Sequence, residues 1–353
     1  MRQYLFTPGP VPIPKDILQE GAKQPIYFRT QEFSNIILHI KHLLLHLANA
    51  PKGSELILLT SSGTGAMEAT LLNLFDSNNH AIVINGGGFG QRFVDLCHIL
   101  QIPHTDVALT KDEAINFQNL SSINADSLLI NVHETSTGRL YNLKKVGKFC
   151  TKHNLLHIVD AISAFGCEYI DMQKQHIDAL IVSSNKALAL PPGVAFVILS
   201  PKALKRLKDP KTLYFNFKEY INNIQRGQTP FTPAVTILMQ LEKQLKKLAK
   251  KDLKEELKRR KKLAKYFRKK IQKLPLKLYV KEMANCMSAI EVSDGKKAYE
   301  IVEYFQKHYN IILTPSGGEL KDKLIRISHM GDMGKKDIKH LIKKLNDFYK
   351  ENR

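Results

Sequence analysis

Between residues 55 and 200 the chain carries short apolar runs separated by longer mixed segments: ELILLT (55–60), AIVING (81–86), SLLINVHE (127–134), LHIVDA (156–161), ALIVSS (179–184) and VAFVILS (194–200). Runs without polar alternation suit strands buried on both faces, and most of the gaps leave room for a crossover helix. This pattern predicts an α/β fold with a mainly parallel sheet and helices on both sides. The last two runs are separated only by NKALALPPG, too short for a helical crossover, so that pair is expected to be antiparallel. From about residue 241 the composition changes to a lysine-rich segment followed by mixed strands and helices. That change predicts a large domain over residues 1–240 and a smaller α+β domain over 241–353, with the N-terminal segment free to pack on the small domain.

Charge and cysteine usage narrow the functional classes. The chain has 53 basic and 33 acidic residues, a net charge of +20. Much of the excess lies in residues 241–273, where Leu241, Leu245 and Leu248 recur at helical spacing among lysines. One basic helix with an apolar stripe and a solvated face is expected there. No helix-turn-helix, zinc-finger or aromatic RNA-binding signature accompanies it, so no nucleic-acid partner is expected. No run of apolar residues is long enough to span a membrane, and the opening MRQYLFTPGPVPIPKD lacks a secretory layout, which predicts a cytoplasmic protein. The cysteines Cys97, Cys150, Cys167 and Cys286 show neither paired spacing nor a histidine pattern, so neither a metal site nor a disulfide is expected.

In open α/β sheets, ligands bind beyond the carboxyl ends of the strands. There the sequence places SSGTGAMEA, GGFGQRF, HETSTG, Asp160 in VDAISAFG, and Lys186 in SSNKALALPPG. The first is a turn whose backbone amides can meet an anion at a helix N-terminus, although a capped loop has the same composition. Asp160 ends an apolar strand, where a carboxylate needs a cationic or donor partner. Lys186 has apolar neighbours, which favours its neutral, nucleophilic amine. Two arrangements remain open on these residues alone: a buried Asp160–Lys186 salt bridge, or both groups addressing one cofactor. His133 adjoins Glu134, and by residue type the two could pass for an acid–base pair. His329 reads as a packing histidine.

In order along the chain, FTPGPVPIP, SSGTGAMEA, HETSTG, VDAISAFG, SSNKALALPPGVAFVILS and RISHMGDM resemble the segments that define the class V pyridoxal-phosphate aminotransferases, specifically those of the alanine–glyoxylate and serine–pyruvate type. The resemblance implies aminotransferase fold type I, pyridoxal 5'-phosphate as cofactor, and a homodimer with shared sites. It implies that Gly63, Thr64 and Gly65 hold the cofactor phosphate, Phe89 stacks on the ring, Thr135 meets the ring hydroxyl and Asp160 the ring nitrogen. Lys186 becomes the Schiff-base lysine, and Thr232 reaches the phosphate of the neighbouring subunit. Arg326 would grip the substrate carboxylate, and Arg29 would lie at the mouth of the site. Asn185 stands where many relatives have glutamine, Phe28 precedes Arg29 where histidine is common, and Thr229 replaces a frequent tyrosine.

The reaction implied is transamination between alanine or serine and glyoxylate or pyruvate, with a 2-aminoethylphosphonate:pyruvate reaction as runner-up. Cysteine desulfuration ranks lower, because LTPSGGELKDKLIRIS holds no cysteine and Phe89 stands in place of the ring-stacking histidine. A non-catalytic basic binding protein also ranks lower, since both Asp160 and Lys186 are retained.

Overall fold

The computed structural model describes residues 3–250 and 252–351. Its largest sheet has seven strands: β1 (Glu55–Leu59), β2 (Ala81–Asn85), β3 (His104–Ala108), β4 (Ser127–Asn131), β5 (Leu156–Asp160), β6 (Ala179–Ser183) and β7 (Ala195–Leu199). Their order is β1-β7-β6-β5-β4-β2-β3. The central pairs are parallel, while β7 runs antiparallel to both β6 and β1. Successive residues serve opposite faces: Leu56 and Leu58 join one apolar core while Ile57 and Leu59 join the other. Helices cover both, so the six apolar runs are strands without polar alternation.

Two features of this sheet depart from the sequence reading. Strand β3, HTDVA, is a seventh strand that the apolar-run criterion passes over, because it lies at the sheet edge and is only half-buried. The run SLLINVHE is also not one strand. It ends at Asn131, and His133–Glu134 turns into a short hairpin with Arg139–Leu140.

The expected single helix over 241–273 is two helices, Val235–Lys250 and Leu253–Ile271. Asp252 adopts φ +55°, a left-handed conformation incompatible with a continuous helix, and its side chain accepts from the Lys254 amide to cap the second one. The first helix buries Leu238, Leu241 and Leu245 in the core of the large sheet, so it straddles the expected boundary at residue 240. The second sends Leu263, Phe267 and Ile271 into a separate core beneath an antiparallel sheet of Leu276–Leu278, Met287–Val292, Leu324–Ser328 and Thr314–Pro315. Lys254, Lys258, Lys261, Lys262, Lys265 and Lys269 of the second helix face solvent.

The N-terminal segment joins this second core. Tyr4–Leu5 pairs in parallel with Ile311–Ile312, and Phe6 is buried with Phe267 and Phe305. From there the chain crosses to the large sheet, bringing Gly9 against Lys186. Among the described residues, no helix is long and apolar enough to cross a membrane.

Candidate active site

The carboxyl ends of β1, β4, β5 and β6 converge on a cavity of about 390 Å³. Its wall gathers Gly63, Thr64, Phe89, Thr135, Asp160, Asn185 and Lys186, residues far apart in the chain. The turn after β1 becomes the N-terminus of the helix Gly63–Leu74, whose Ser62 side chain accepts from the Gly65 amide at 3.2 Å. A Cβ on Gly63 would lie 2.6 Å from Ile162 Cδ1, and one on Gly65 would collide with Ser61 Oγ. Small residues therefore keep backbone donors open at the positive end of a helix, a cradle suited to a phosphate group.

Asp160 is 5% exposed, and its carboxylate accepts a hydrogen bond of 2.7 Å from the Ile162 amide. Burial pushes its carboxyl up to about 7, the Ile162 amide opposing the shift. Lys186 makes no ion pair with it among the described residues, so the salt-bridge alternative is not what the fold builds. Burial also pulls the Lys186 amine down to about 8, helped by the Arg326 cation and opposed by Asp160. A buried carboxylate without an ion pair, beside an amine poised for deprotonation, fits a group with a protonated ring nitrogen and an electrophilic carbon.

The remaining supports are built from backbone and side-chain contacts. Glu134 is fully buried and accepts from the Phe89 and Gly90 amides at 3.1 and 2.9 Å and from Asn131 Nδ2 at 2.8 Å. It thereby caps the helix Gly88–Ile99 and fixes Phe89 at the cavity wall. Thr135 Oγ1 donates to Ser163 Oγ at 3.0 Å, and His133 Nδ1 lies 2.9 Å from the same oxygen. Burial, with the Lys186, Arg268 and Arg326 cations nearby, pushes His133 down to about 3, so it stays neutral. His329 Nε2 lies 2.8 Å from Ser288 Oγ, and its ring packs on Phe267.

Arg326 does not line the cavity itself but adjoins it. Its guanidinium donates to the Pro315 carbonyl at 2.9 and 3.1 Å and to the Thr135 carbonyl at 3.4 Å, with no carboxylate partner among the described residues. Desolvation lowers its pKa, with Glu134 opposing. Carbonyls orient the fork while its positive charge stays uncompensated at close range.

A family model, Aminotransferase class-V, matches residues 3–341. The chain belongs to the class V aminotransferases. It is 30% identical over 336 residues to an uncharacterized aminotransferase of Helicobacter pylori, covering 93% of this chain and 88% of that one. It is 25% identical over 344 residues to the L-aspartate--glyoxylate aminotransferase of Paracoccus denitrificans, covering 93% and 86%. The structure of an aspartate aminotransferase of subgroup IV from Thermus thermophilus superposes with a TM-score of 0.93 at 24% identity, covering 99% of both chains. The fold is that of fold type I, and membership of the family implies pyridoxal phosphate.

Four sequence-selected residues of the aminotransferase stay outside the cavity lining: Gly65, Arg326, Arg29 and Thr232. Arg29 is exposed, its guanidinium donating to Gln228 Oε1 and the Thr229 carbonyl, both at 3.0 Å, and resting over the Phe28 ring. Thr232 is exposed as well. Conversely, the cavity includes Ser62, Arg92, Ile162, Ser163, Ser183, Pro192 and Gly193, which sequence reasoning did not select. Arg92 donates to Thr64 Oγ1 at 2.9 Å, and its guanidinium lies 4.8 Å from the centre of the Phe89 ring. Its signal was present in GGFGQRF, three residues beyond Phe89 on one helix face. Gly9 was also missed: a Cβ there would lie 2.6 Å from Lys186 Nζ.

Proposed function

We propose that this aminotransferase moves an amino group from alanine or serine to glyoxylate or pyruvate, as a cytoplasmic homodimer using pyridoxal 5'-phosphate. The observation that carries the reading is the pairing of Asp160, buried without an ion pair, with Lys186, whose amine is lowered to about 8, in one cavity beside a helix N-terminus. When bound, the cofactor supplies an aldehyde for the amino group and a ring that accepts electrons.

In this reading the backbone amides of Gly63, Thr64 and Gly65 and the Thr64 hydroxyl take the phosphate, Asn185 adds a contact beside it, and Phe89 covers one face of the ring. Thr135 Oγ1 serves the ring hydroxyl, and the Asp160 carboxylate receives the ring N–H, keeping that nitrogen charged. Lys186 Nζ is the covalent anchor. Its neutral amine would move the proton at the substrate α-carbon, a role that requires deprotonation near physiological pH. Arg326 binds the substrate carboxylate with two parallel N–H donors. Thr232 acts across a dimer interface, which accords with its exposure, and Arg29 lies at the mouth of the site. A large unit that ends with the helix Val235–Lys250 supplies the cofactor residues, and a small unit that begins with the helix Leu253–Ile271 supplies Arg326.

A half-reaction screen tests the substrate assignment. Alanine or serine should convert the aldehyde form of the bound cofactor to the amine form, followed in the visible spectrum, and glyoxylate or pyruvate should reverse it. Conversion by 2-aminoethylphosphonate without conversion by alanine or serine would replace the small amino acid as donor.

A further inference from the structure

Where the loop after β5 meets the antiparallel sheet, the chain assembles a cluster that the aminotransferase reading does not use. Cys167 and Glu168 lie on that loop, and Cys286 immediately precedes the strand Met287–Val292. One ligand atom from each of these three residues falls within 4.8 Å of the other two. His133 Nδ1 adds a nitrogen 3.1 Å from Cys286 Sγ. All four side chains are buried.

Glu168 is oriented by Asn285 and Cys286: its carboxylate accepts from the Asn285 amide, from Asn285 Nδ2 at 2.9 Å and from the Cys286 amide at 3.2 Å. It makes no ion pair among the described residues, although a buried carboxylate is costly without a cation. Arg268 stands near the cluster, but its guanidinium is directed to Ser288 Oγ and to the carbonyls of Met283, Ala284 and Met287.

We propose that Cys167, Cys286, Glu168 and His133 form a closed, tetrahedral site for a zinc-type divalent cation. Two sulfurs with one imidazole and one carboxylate suit a borderline-soft ion and do not suit magnesium or calcium. Bond lengths of about 2.3 Å to sulfur place tetrahedral ligands roughly 3.8 Å apart, so the Cys167, Glu168 and Cys286 atoms need to close by about an ångström or less, and His133 Nδ1 needs to turn from Ser163 Oγ toward the ion. The charges also balance. Two thiolates and one carboxylate meet a doubly positive ion, and Arg268 supplies the remaining positive charge. Binding releases the two thiol protons to solvent, which makes it pH-dependent.

With four protein ligands and no open position, the ion has a structural role. It ties the loop after β5 to the antiparallel sheet.

The test uses the intact, cofactor-loaded enzyme and does not depend on its activity. After chelation and desalting, Co2+ titration should give the visible d–d absorption of a tetrahedral thiolate site, saturating at about one ion per chain. Zn2+ should then abolish that absorption by displacement. Cys286→Ala and Cys167→Ala should each weaken cobalt binding at least about tenfold, while Cys97→Ala, at a buried cysteine outside the cluster, should leave it unchanged. If the cluster variants fail to fold, the wild-type spectrum and stoichiometry decide. A wild type that gives no tetrahedral cobalt spectrum, a spectrum that survives Cys286→Ala, or a Cys167–Cys286 disulfide in the enzyme isolated without reductant would overturn the proposal. None of these outcomes bears on transamination, so the two readings fail separately.

Discussion

Replacing Asp160 with asparagine should make the cofactor-free enzyme more stable and the loaded enzyme far less active. The carboxyl is held at about 7 against an ordinary value of 3.8, because burial penalises its charged form. A carboxyl whose pKa is raised on folding favours the folded state below its unfolded value and loses that advantage as pH rises through its folded value. Asparagine, neutral throughout, does not lose it. At about 1.36 kcal/mol per pH unit, the interval from 3.8 to about 7 corresponds to about 4 kcal/mol at and above neutral pH, an upper bound that structural relaxation reduces. Chemical denaturation of the apoenzyme should therefore show Asp160→Asn more stable than wild type. The gap should widen by about 1.4 kcal/mol per pH unit between pH 5 and 7 and level off above. Added pyridoxal phosphate should reverse the order, because only the carboxylate compensates a ring cation. A stability gap that is independent of pH, or one that favours wild type in the apoenzyme, would refute the account of Asp160.

The Lys186 amine is lowered to about 8, so covalent uptake of the cofactor by the apoenzyme should rise with pH with a midpoint near that value; a midpoint near the ordinary lysine value of 10.5 would contradict the burial argument. Arg326→Lys keeps the charge but loses the fork, so the KM for alanine or serine should rise about tenfold, corresponding to about 1.4 kcal/mol, with the cofactor spectrum unchanged. An equal effect on amines without a carboxylate would remove Arg326 from substrate binding. Gly9→Ala should lower kcat by about tenfold or more with the fold retained, because its Cβ would lie 2.5 to 2.8 Å from the Lys186 side chain at a backbone φ of +144°; unchanged kcat would show that the amine accommodates the methyl group.

The parallel sheet was legible in the sequence because strands covered on both faces carry uninterrupted apolar runs. Strand β3 was not, since its HTDVA composition at a half-buried edge carries no such signal. The break after Lys250 was hidden for a related reason: the leucine stripe and the lysines continue across it, and only the left-handed backbone at Asp252 reveals that two helices serve two cores. Asp160, Lys186 and the turn at Gly63–Gly65 could be picked out because their chemistry restricts residue type and the fold fixes their place at strand ends. Gly9 reaches the site only through tertiary packing, from the segment whose Tyr4–Leu5 pairs with Ile311–Ile312. Spacing along the chain likewise could not reveal that Cys167 and Cys286 share a cluster.

The central claim is that Lys186 is the covalent anchor of the cofactor. Borohydride reduction of the loaded enzyme, followed by proteolysis and mass spectrometry, tests it directly. The account predicts a phosphopyridoxyl label on the peptide containing SSNKALALPPG, at Lys186, and no label there in Lys186→Ala. A label on another lysine, or none in an enzyme that retains its visible absorption, would contradict it.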